Sequence, residues 1–344
     1  MHDKGLKKWI RRIPSACYML LLLVVFFTLQ VPDFLSPENM AIILRQAAPL
    51  LVLASGQTLI ILLQGTDLSL GSIVSMAGVL WMLLLNLGVP MVPAVLCVLA
   101  ASLMGGVLNG FLVARGRLPV FIVTLGTQNI FKSAALLLCG SQTLYYRDSI
   151  FRTIARDSFL GLTWSVWISL FFFILTWILL TMTGFGKKIK ALGGNAEALT
   201  LSGGSISRTT IMAFAYAALM AGAAALLVCC RIESGNPNAG NGMEFNSIAA
   251  VLLGGTSMRE GRGGVGGTIF GVLLMQVLKT GLTQVGISSI YQQAIIGSVV
   301  LTAIIMDVLF KRSFIQSLSF GGTPVTARER HSGQKDRKRE RRTR

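Results

Sequence analysis

The sequence has few charged residues and almost no histidine. Only 13% of its 344 residues are Asp, Glu, Lys or Arg, whereas a soluble domain carries about 25%. The two histidines, His2 and His331, lie near the ends of the chain, so no apolar segment contains a histidine for metal binding or proton transfer. The five cysteines form no CxxC pair, which argues against a zinc site or a disulfide framework.

The motifs of nucleotide-binding and hydrolytic sites are also missing. No GxxxxGK[ST] occurs, and GFGKK at 184–188 lacks the spacing of a P-loop. GRGGVGG at 261–267 is Gly-rich, but its apolar surroundings argue against a dinucleotide site. Neither GxSxG nor HExxH is present. We therefore expect no enzyme activity in this chain, and no metal, cofactor or ATP site.

Long apolar runs dominate the sequence. Hydrophobic residues make up 53% of the chain, and the mean hydropathy is +0.68. A membrane-spanning helix needs about 20 apolar residues. The sequence therefore predicts an all-α polytopic membrane protein with about ten transmembrane helices. The candidate segments are 14–32, 40–64, 71–88, 93–114, 120–140, 163–183, 209–230, 247–258, 266–284 and 290–310.

Positive charge is spread unevenly and predicts the orientation. The net charge is +17, and Lys and Arg accumulate on the cytoplasmic side of membrane proteins. Ten crossings place all the basic clusters, and both termini, on the cytoplasmic face of the inner membrane. These clusters lie at 4–12, 115–117, 187–208, 259–262 and 311–312. The loop 141–158 is predicted to lie outside, yet it contains three Arg against two Asp, which fits the rule poorly.

These charges also divide the chain. We predict a basic N-terminal arm over 1–13, a transmembrane permease domain over 14–312, and a basic cytoplasmic tail over 313–344. The tail has almost no apolar residues to bury, so we expect it to be disordered. Because basic ends are typical of membrane proteins, we do not interpret them as a nucleic-acid-binding surface.

One short stretch occurs twice. LLQGTDLSLG at 62–71 and LLGGTSMREG at 252–261 match at five of ten positions with an offset of 190. The match predicts two half-repeats, over about 40–140 and 208–310. Gly-interrupted membrane segments at matching places in two halves indicate a transport pathway. The candidate pathway or kink residues are Gly65, Thr66, Asp67, Ser69, Gly71, Gly254, Gly255, Thr256 and Ser257.

Asp67 is the unusual member of this set, because a carboxylate within a membrane segment costs several kcal/mol. One interpretation is a polar kink that faces the pathway or a partner subunit, with Asp67 holding the kink by hydrogen bonds. The other is a loop at the membrane edge in which Asp67 caps a helix.

The segment 184–208 lies on the predicted cytoplasmic side. Asn195 is a good N-cap, AEALTLS is a short helix with Glu197 in its first turn, and Gly203 is a natural stop. A helix this short is marginal alone in water. It is either an ordinary loop or a helix held in place to present one face to a partner.

Four motifs in this order resemble those of the permease subunits of ribose-type ABC importers, over roughly residues 35–310. The family's GxTxVIxxGGIDLSVGS, NGxxxAxGRxPxFIxTLG, AxGGNxxAAxLSGI and PxxGxGYELDAIAAVVLGGTSLxGGxG correspond here to four stretches. They are GQTLIILLQGTDLSLGS at 56–72, NGFLVARGRLPVFIVTLG at 109–126, ALGGNAEALTLSGGS at 191–205 and PNAGNGMEFNSIAAVLLGGTSMREGRG at 237–263.

The resemblance implies a type II-like permease fold and a role in importing a sugar or sugar-like solute. It also implies partners: a second permease copy, identical or homologous, two cytoplasmic ATPases that bind ATP and Mg, and a periplasmic sugar-binding protein. The segment 184–208 would then carry the coupling helix that docks on the ATPase. The coupling residues implied are Gly193, Gly194, Asn195, Glu197, Ala198, Leu201, Ser202 and Gly203.

Some positions depart from the family pattern. GYELDAI is GMEFNSI here, so Asn246 replaces an acid, and Arg259-Glu260 replace two glycines. Leu199 and Ser205 also differ from the pattern of the coupling segment. Two alternatives stay open at this stage: a branched-chain amino-acid importer permease, and a secondary transporter that works without an ATPase.

Overall fold

The computed structural model describes residues 15–258, 260–298 and 301–302. The predicted arm 1–13, the end of the tenth apolar segment and the tail 313–344 lie outside the described residues, as does Arg259. Residues 15–298 belong to one unit and are largely helical. Residues 301–302, which are also helical, belong to a second unit.

A helix overlaps each of the ten predicted apolar segments. Residues 289–298 are helical and begin the tenth segment. The helices that overlap the other nine segments are α1 Ser15–Gln30, α2 Pro37–Leu62, α3 Leu70–Asn86, α4 Met91–Ala114, α5 Val120–Leu138, α7 Trp164–Met182, α10 Ile206–Ile232, α11 Met243–Leu253 and α12 Val265–Gln284.

Short elements occupy the connections. Three helices are polar or short: α6 Ser149–Arg156, α8 Gly184–Gly194 and α9 Ala196–Leu201. Two antiparallel strand pairs join β1 Leu144–Tyr145 to β4 Ser234–Gly235, and β2 Ser158–Phe159 to β3 Leu162–Thr163. The first pair links two connections that are distant in the sequence.

Six of the described helices are long and apolar enough to cross a membrane. They are α2, α4, α5, α7, α10 and α12. Helices α1, α3 and α11 are apolar but shorter. The all-α, multi-pass prediction agrees with this architecture, while a count of ten crossings stays a prediction.

Local sequence signals explain where several helices begin and end. Ser36 caps α2, its Oγ accepting a hydrogen bond from the Asn39 backbone N–H at 3.3 Å, and Pro37 follows at the first helical position. Helices α4 and α5 each begin directly after a proline, Pro90 and Pro119. Helix α10 ends at Glu233, whose φ of 52° is left-handed.

Helix α10 lies at the centre of the bundle and packs against α2, α3 and α4. Its small side chains are buried, including Ala217, Ala218 and Ala221. A Cβ on Gly56 of α2 would lie 2.9 Å from the Cβ of Met220, and one on Gly110 of α4 would lie 2.7 Å from the Ile211 Cα. Small residues therefore bring these helices close together, as is typical of membrane bundles.

Both copies of the repeated stretch fall between two helices. Residues 63–69 connect α2 to α3, and residues 254–264 connect α11 to α12. Each connection contains positive-φ residues, Gln64 in the first and Gly255, Gly261 and Gly263 in the second. The two copies thus occupy equivalent places in the chain, each at a break between consecutive helices.

Candidate functional site

We call residues 63–69, between α2 and α3, the first break, and residues 254–264, between α11 and α12, the second break. The first break is held by a small polar network around Asp67. Asp67 is fully buried, and its Oδ1 accepts hydrogen bonds from the Ser69 backbone N–H at 2.8 Å and the Ser69 Oγ at 2.6 Å. The Asn109 side chain of α4 donates to the same Ser69 Oγ at 2.8 Å. Ser69, rather than Asp67, occupies the N-cap position of α3. Asp67 therefore fixes the turn that precedes the helix and ties it to α4.

This network leaves part of the carboxylate unsatisfied. Within the part of the chain that the structure describes, the Oδ2 of Asp67 and the Oδ1 of Asn109 are buried and have no hydrogen-bond partner. A buried polar atom without a partner costs about 1–3 kcal/mol. The first break is thus a polar site with unsatisfied hydrogen-bonding groups inside an apolar bundle.

The second break is held by backbone contacts instead of a carboxylate. The Ser257 backbone N–H donates to the Arg262 carbonyl at 2.8 Å. The Gly264 backbone N–H donates to the Oγ1 of the buried Thr256 at 3.3 Å, and that hydroxyl donates to the Gly264 carbonyl at 3.3 Å. In this copy Ser257 occupies the position of Asp67, and a backbone bridge to Arg262 closes the turn.

The predicted coupling segment, residues 184–208, contains two short helices, α8 and α9, with a sharp turn between them. Asn195 caps α9 as the sequence predicts, its Oδ1 accepting from the backbone N–H groups of Glu197 at 2.9 Å and Ala198 at 3.2 Å. Leu199 is buried and anchors the helix. Gly203, with φ of 78°, ends it. The rest of α9 is exposed, including Leu201 at 84%.

Gly193 joins the coupling segment to both breaks. A Cβ at this position would collide with the carbonyl oxygen of Leu62, at the end of α2, and would lie 3.2 Å from the Cα of Gly261. The Gly193 carbonyl accepts a hydrogen bond from the Gln64 side chain at 2.7 Å. The coupling segment is therefore in direct contact with the first copy through Leu62 and Gln64, and with the second copy through Gly261.

An apolar cavity of about 270 Å³ lies beside this contact. Its lining includes Gln64 and Gly65 of the first break, Leu192 and Ala196 of the coupling segment, and Phe214 of α10. Empty space between these elements leaves room for the coupling segment to move against the bundle.

A second buried polar contact lies at the start of α3. The Gln128 side chain of α5 donates to Glu244 Oε1 of α11 at 3.2 Å, and Glu244 Oε2 has no hydrogen-bond partner. Glu244 is only 4% exposed. A Cβ on Gly71 would collide with Glu244 Oε2 and would lie 2.6 Å from the Gly240 carbonyl. Gly71 therefore lets the carboxylate and the 236–242 backbone lie directly on α3.

The structure brings together only part of the predicted set. Gly65, Thr66, Asp67, Ser69 and Gly71 form the first break and its entry into α3; Gly254, Gly255, Thr256 and Ser257 form the second; Gly193 touches both. By contrast, the other coupling residues lie away from the breaks on an exposed surface. These are Gly194, Asn195, Glu197, Ala198, Leu201, Ser202 and Gly203.

Five residues in these contacts were missed by the sequence interpretation. Gln64 and Gly261 contact Gly193, while Asn109, Gln128 and Glu244 complete the two buried polar networks. Gly261 carried a signal, since it is the last identical residue of the repeat. Gln64, Asn109 and Glu244 lie within the quoted motifs 56–72, 109–126 and 237–263, but the motifs do not show their partners, which are distant in the sequence. Gln128 lies outside these motifs.

Comparison with known proteins identifies the family. The family described as "Branched-chain amino acid transport system / permease component" matches residues 39–306. The chain is 36% identical to the ribose import permease protein RbsC of Bacillus subtilis, over 84% of this chain and 90% of that protein. It is 33% identical to RbsC of Escherichia coli K12, over 88% and 95%. The fructose import permease protein FrcC of Rhizobium meliloti is 31% identical, over 89% of each chain.

No solved structure matches the chain. The family match nevertheless covers more than two thirds of the sequence, and it includes both breaks and the coupling segment. The resemblance to ABC importer permeases is thereby confirmed. With six apolar helices of spanning length in addition, the protein is a multi-pass membrane protein and belongs to the branched-chain amino acid transport system / permease component family.

Proposed function

We propose that this chain is the permease subunit of an ATP-driven importer that moves a sugar or sugar-like solute into the cytoplasm. The named sugar permeases, for ribose and fructose, are similar along most of the chain. These relatives favour a sugar over a branched-chain amino acid. The observation that carries the proposal is the direct contact of Gly193 with both breaks. Through this contact, a separate ATPase bound to the coupling segment could move the helices of the bundle.

The proposed motor is a pair of separate ATPase subunits. Each ATPase would bind the exposed face of α9 in one permease, with Leu201 as the apolar contact and Glu197 and Asn195 beside it. The buried Leu199 keeps α9 attached to the rest of the coupling segment. Closure of the ATPases around ATP and Mg would push on this face and displace α8 and α9 together.

The displacement would reach the pathway through the contacts at Gly193. Movement of Gly193 acts on Leu62 and Gln64 at the first break and on Gly261 at the second. Two breaks moved by one segment allow α3 and α12 to shift together, which is the kind of rigid rearrangement that alternating access requires. The adjoining cavity of about 270 Å³ provides space for that movement.

The proposal also assigns the orientation and the remaining partners. The coupling segment and both termini face the cytoplasm, and the loops 141–158 and 233–246 face the periplasm. A second permease, identical or homologous, forms the other wall of the pathway. A periplasmic sugar-binding protein delivers the solute to the outer loops.

The test is copurification of the ATPase with the full-length chain, tagged at its N-terminus and extracted from native membranes in mild detergent. A P-loop ATPase identified by mass spectrometry in stoichiometric amount is the expected result. Leu201→Asp should abolish its recovery, because a carboxylate would be forced into an apolar contact.

Leu160→Asp is the matched control. Leu160 is 78% exposed in the turn between β2 and β3, so the chemical change and the exposure are similar, but the position directly follows the 141–158 loop on the side opposite the coupling segment. ATPase recovery should be unchanged in this variant. A wild-type chain that purifies alone and transports solute into liposomes without ATP would instead establish a secondary transporter.

A further inference from the structure

A cavity at the opposite end of α10 from the coupling segment has a strongly basic lining. Its volume is about 350 Å³, and it is lined by Tyr145, Arg147, Arg156, Arg231, Ile232 and Glu233. Helix α10 extends from Ser205, beside the coupling segment, to this cavity, and 27 helical residues span about 40 Å. The cavity therefore opens on the face that the proposed function places in the periplasm.

The positive charges around the cavity are incompletely neutralised. Glu233 forms an ion pair with Arg156 at 3.8 Å, and it is the only acid in the lining. Among the described residues, Arg147 and Arg231 have no carboxylate within salt-bridge distance. Three guanidinium groups and one carboxylate leave the lining with an excess of two positive charges.

Two more cations lie on neighbouring helices near Arg231. Arg45 of α2 and Lys279 of α12 lie close enough to Arg231 for their charges to repel it. Helices α2 and α12 are held together at this level by a hydrogen bond from the Gln276 side chain to Gln46 at 2.7 Å. Cations within membrane helices are costly and mark substrate or ion pathways.

This arrangement accounts for the unusual charge of the 141–158 loop. An outer loop ordinarily has few Lys and Arg, yet this one supplies Arg147 and Arg156 to the cavity. These two arginines add to the mutual repulsion of Arg231, Arg45 and Lys279. An anion bound among the five positive charges would offset that repulsion. A guanidinium group binds carboxylate or phosphate with two parallel hydrogen bonds.

The other lining groups fit a ligand with hydroxyl groups. Glu233 can accept hydrogen bonds from hydroxyls, and Tyr145 presents an aromatic ring that is mostly exposed. A volume of about 350 Å³ also lies at the small end of the range for small-molecule sites.

We propose that this cavity is an entry site for an anionic sugar, one that carries a carboxylate or a phosphate, with Arg147 and Arg231 binding the anionic group. The inference rests on the importer function proposed above and specifies its substrate class. The two proposals can fail separately. Sugar binding at the cavity can be measured without the ATPase, and copurification of the ATPase does not depend on sugar binding.

The test is calorimetric titration of the full-length chain in nanodiscs of phosphatidylcholine. Gluconate should bind, and glucose, its neutral counterpart, should bind at least about tenfold more weakly, as expected for the loss of one charge-assisted hydrogen bond. Glucose 6-phosphate in place of gluconate identifies which anionic group is preferred. A preference for either one over glucose supports the proposal.

Three variants locate the binding. Arg147→Gln and Arg231→Gln should each weaken gluconate binding at least about tenfold. Arg152→Gln is the matched control, since Arg152 lies on the same loop and is exposed but does not line the cavity. It should bind gluconate like the wild type. Thermal unfolding of each variant checks that the fold is intact.

Four results would overturn the proposal. The first is equal affinity for gluconate and glucose, and the second is equal affinity for gluconate and sulfate, which would indicate a bare anion site. The third is loss of gluconate binding when phosphatidylglycerol replaces phosphatidylcholine, which would make the lipid headgroup the occupant. The fourth is no binding of any soluble anion, which would leave an acidic protein surface as the ligand of these arginines.

Discussion

At the residue scale, two kinds of side chain define the site: buried carboxylates and glycines without space for a Cβ. Asp67 and Glu244 each have one oxygen that is hydrogen-bonded and one that is not. Gly193 and Gly71 each lie directly against another chain segment. Asp67 holds the turn before α3, Glu244 connects α11 to α5, and the glycines let neighbouring segments touch.

Gly193→Ala tests the contact on which the proposed coupling depends. The added methyl group would collide with the Leu62 carbonyl and press on Gly261. We expect it to lower the free energy of unfolding by about 1–3 kcal/mol, as overpacking does, and to impair transport. Thermal unfolding in detergent and solute uptake by cells measure the two effects.

Gly184→Ala, at the start of the same helix α8, is the matched control for this change. A Cβ at Gly184 would meet nothing within 4 Å, and its φ is not positive. Stability and transport should therefore equal those of the wild type. If both alanine variants behaved alike, the close approach at Gly193 would have no part in coupling.

At the element scale, long-range polar bonds connect helices that apolar packing alone would leave free to slide. Asn109 connects α4 to the first break, and Gln128 connects α5 to α11. The Thr58 hydroxyl of α2 and the Thr268 hydroxyl of α12 are hydrogen-bonded at 3.1 Å, which connects the two half-repeats. These bonds set the register between neighbouring helices.

Gln128→Leu should separate α5 from α11. It would remove the side-chain hydrogen-bond partner of Glu244 Oε1, and we expect a loss of about 1–3 kcal/mol in the free energy of unfolding. Asn129→Leu is the control, because Asn129 is exposed and donates only within its own helix, to the Leu125 carbonyl. Thermal unfolding of both variants gives the comparison. An equal effect in the two would mean that the Gln128–Glu244 bond contributes nothing.

At the scale of the whole molecule, the two ends of the bundle differ in their chemistry. One end has the coupling segment and the two breaks, and the other has the basic cavity and the two strand pairs. The proposed orientation assigns the first end to the cytoplasm and the second to the periplasm.

Cysteine labelling tests that orientation. In a background with the five native cysteines replaced by alanine, Leu160→Cys and Leu201→Cys place single exposed thiols at the two ends. A membrane-impermeant maleimide should label Leu160→Cys in cells with a permeabilised outer membrane. It should label Leu201→Cys only after the inner membrane is opened. Labelling of both variants from the same side would contradict the proposed topology.

The sequence by itself determined the class of the protein, the positions of its apolar helices, the repeated stretch and the cap at Asn195. Each of these depends on hydrophobicity or on bonds between near neighbours, such as Asn195 with Glu197. Only the tertiary structure decided that Gly193 lies between Leu62 and Gly261, that Glu244 covers Gly71, and that Arg147 and Arg231 line the same cavity. Those contacts join residues far apart in the chain, and packing of whole helices, rather than any local pattern, brings them together.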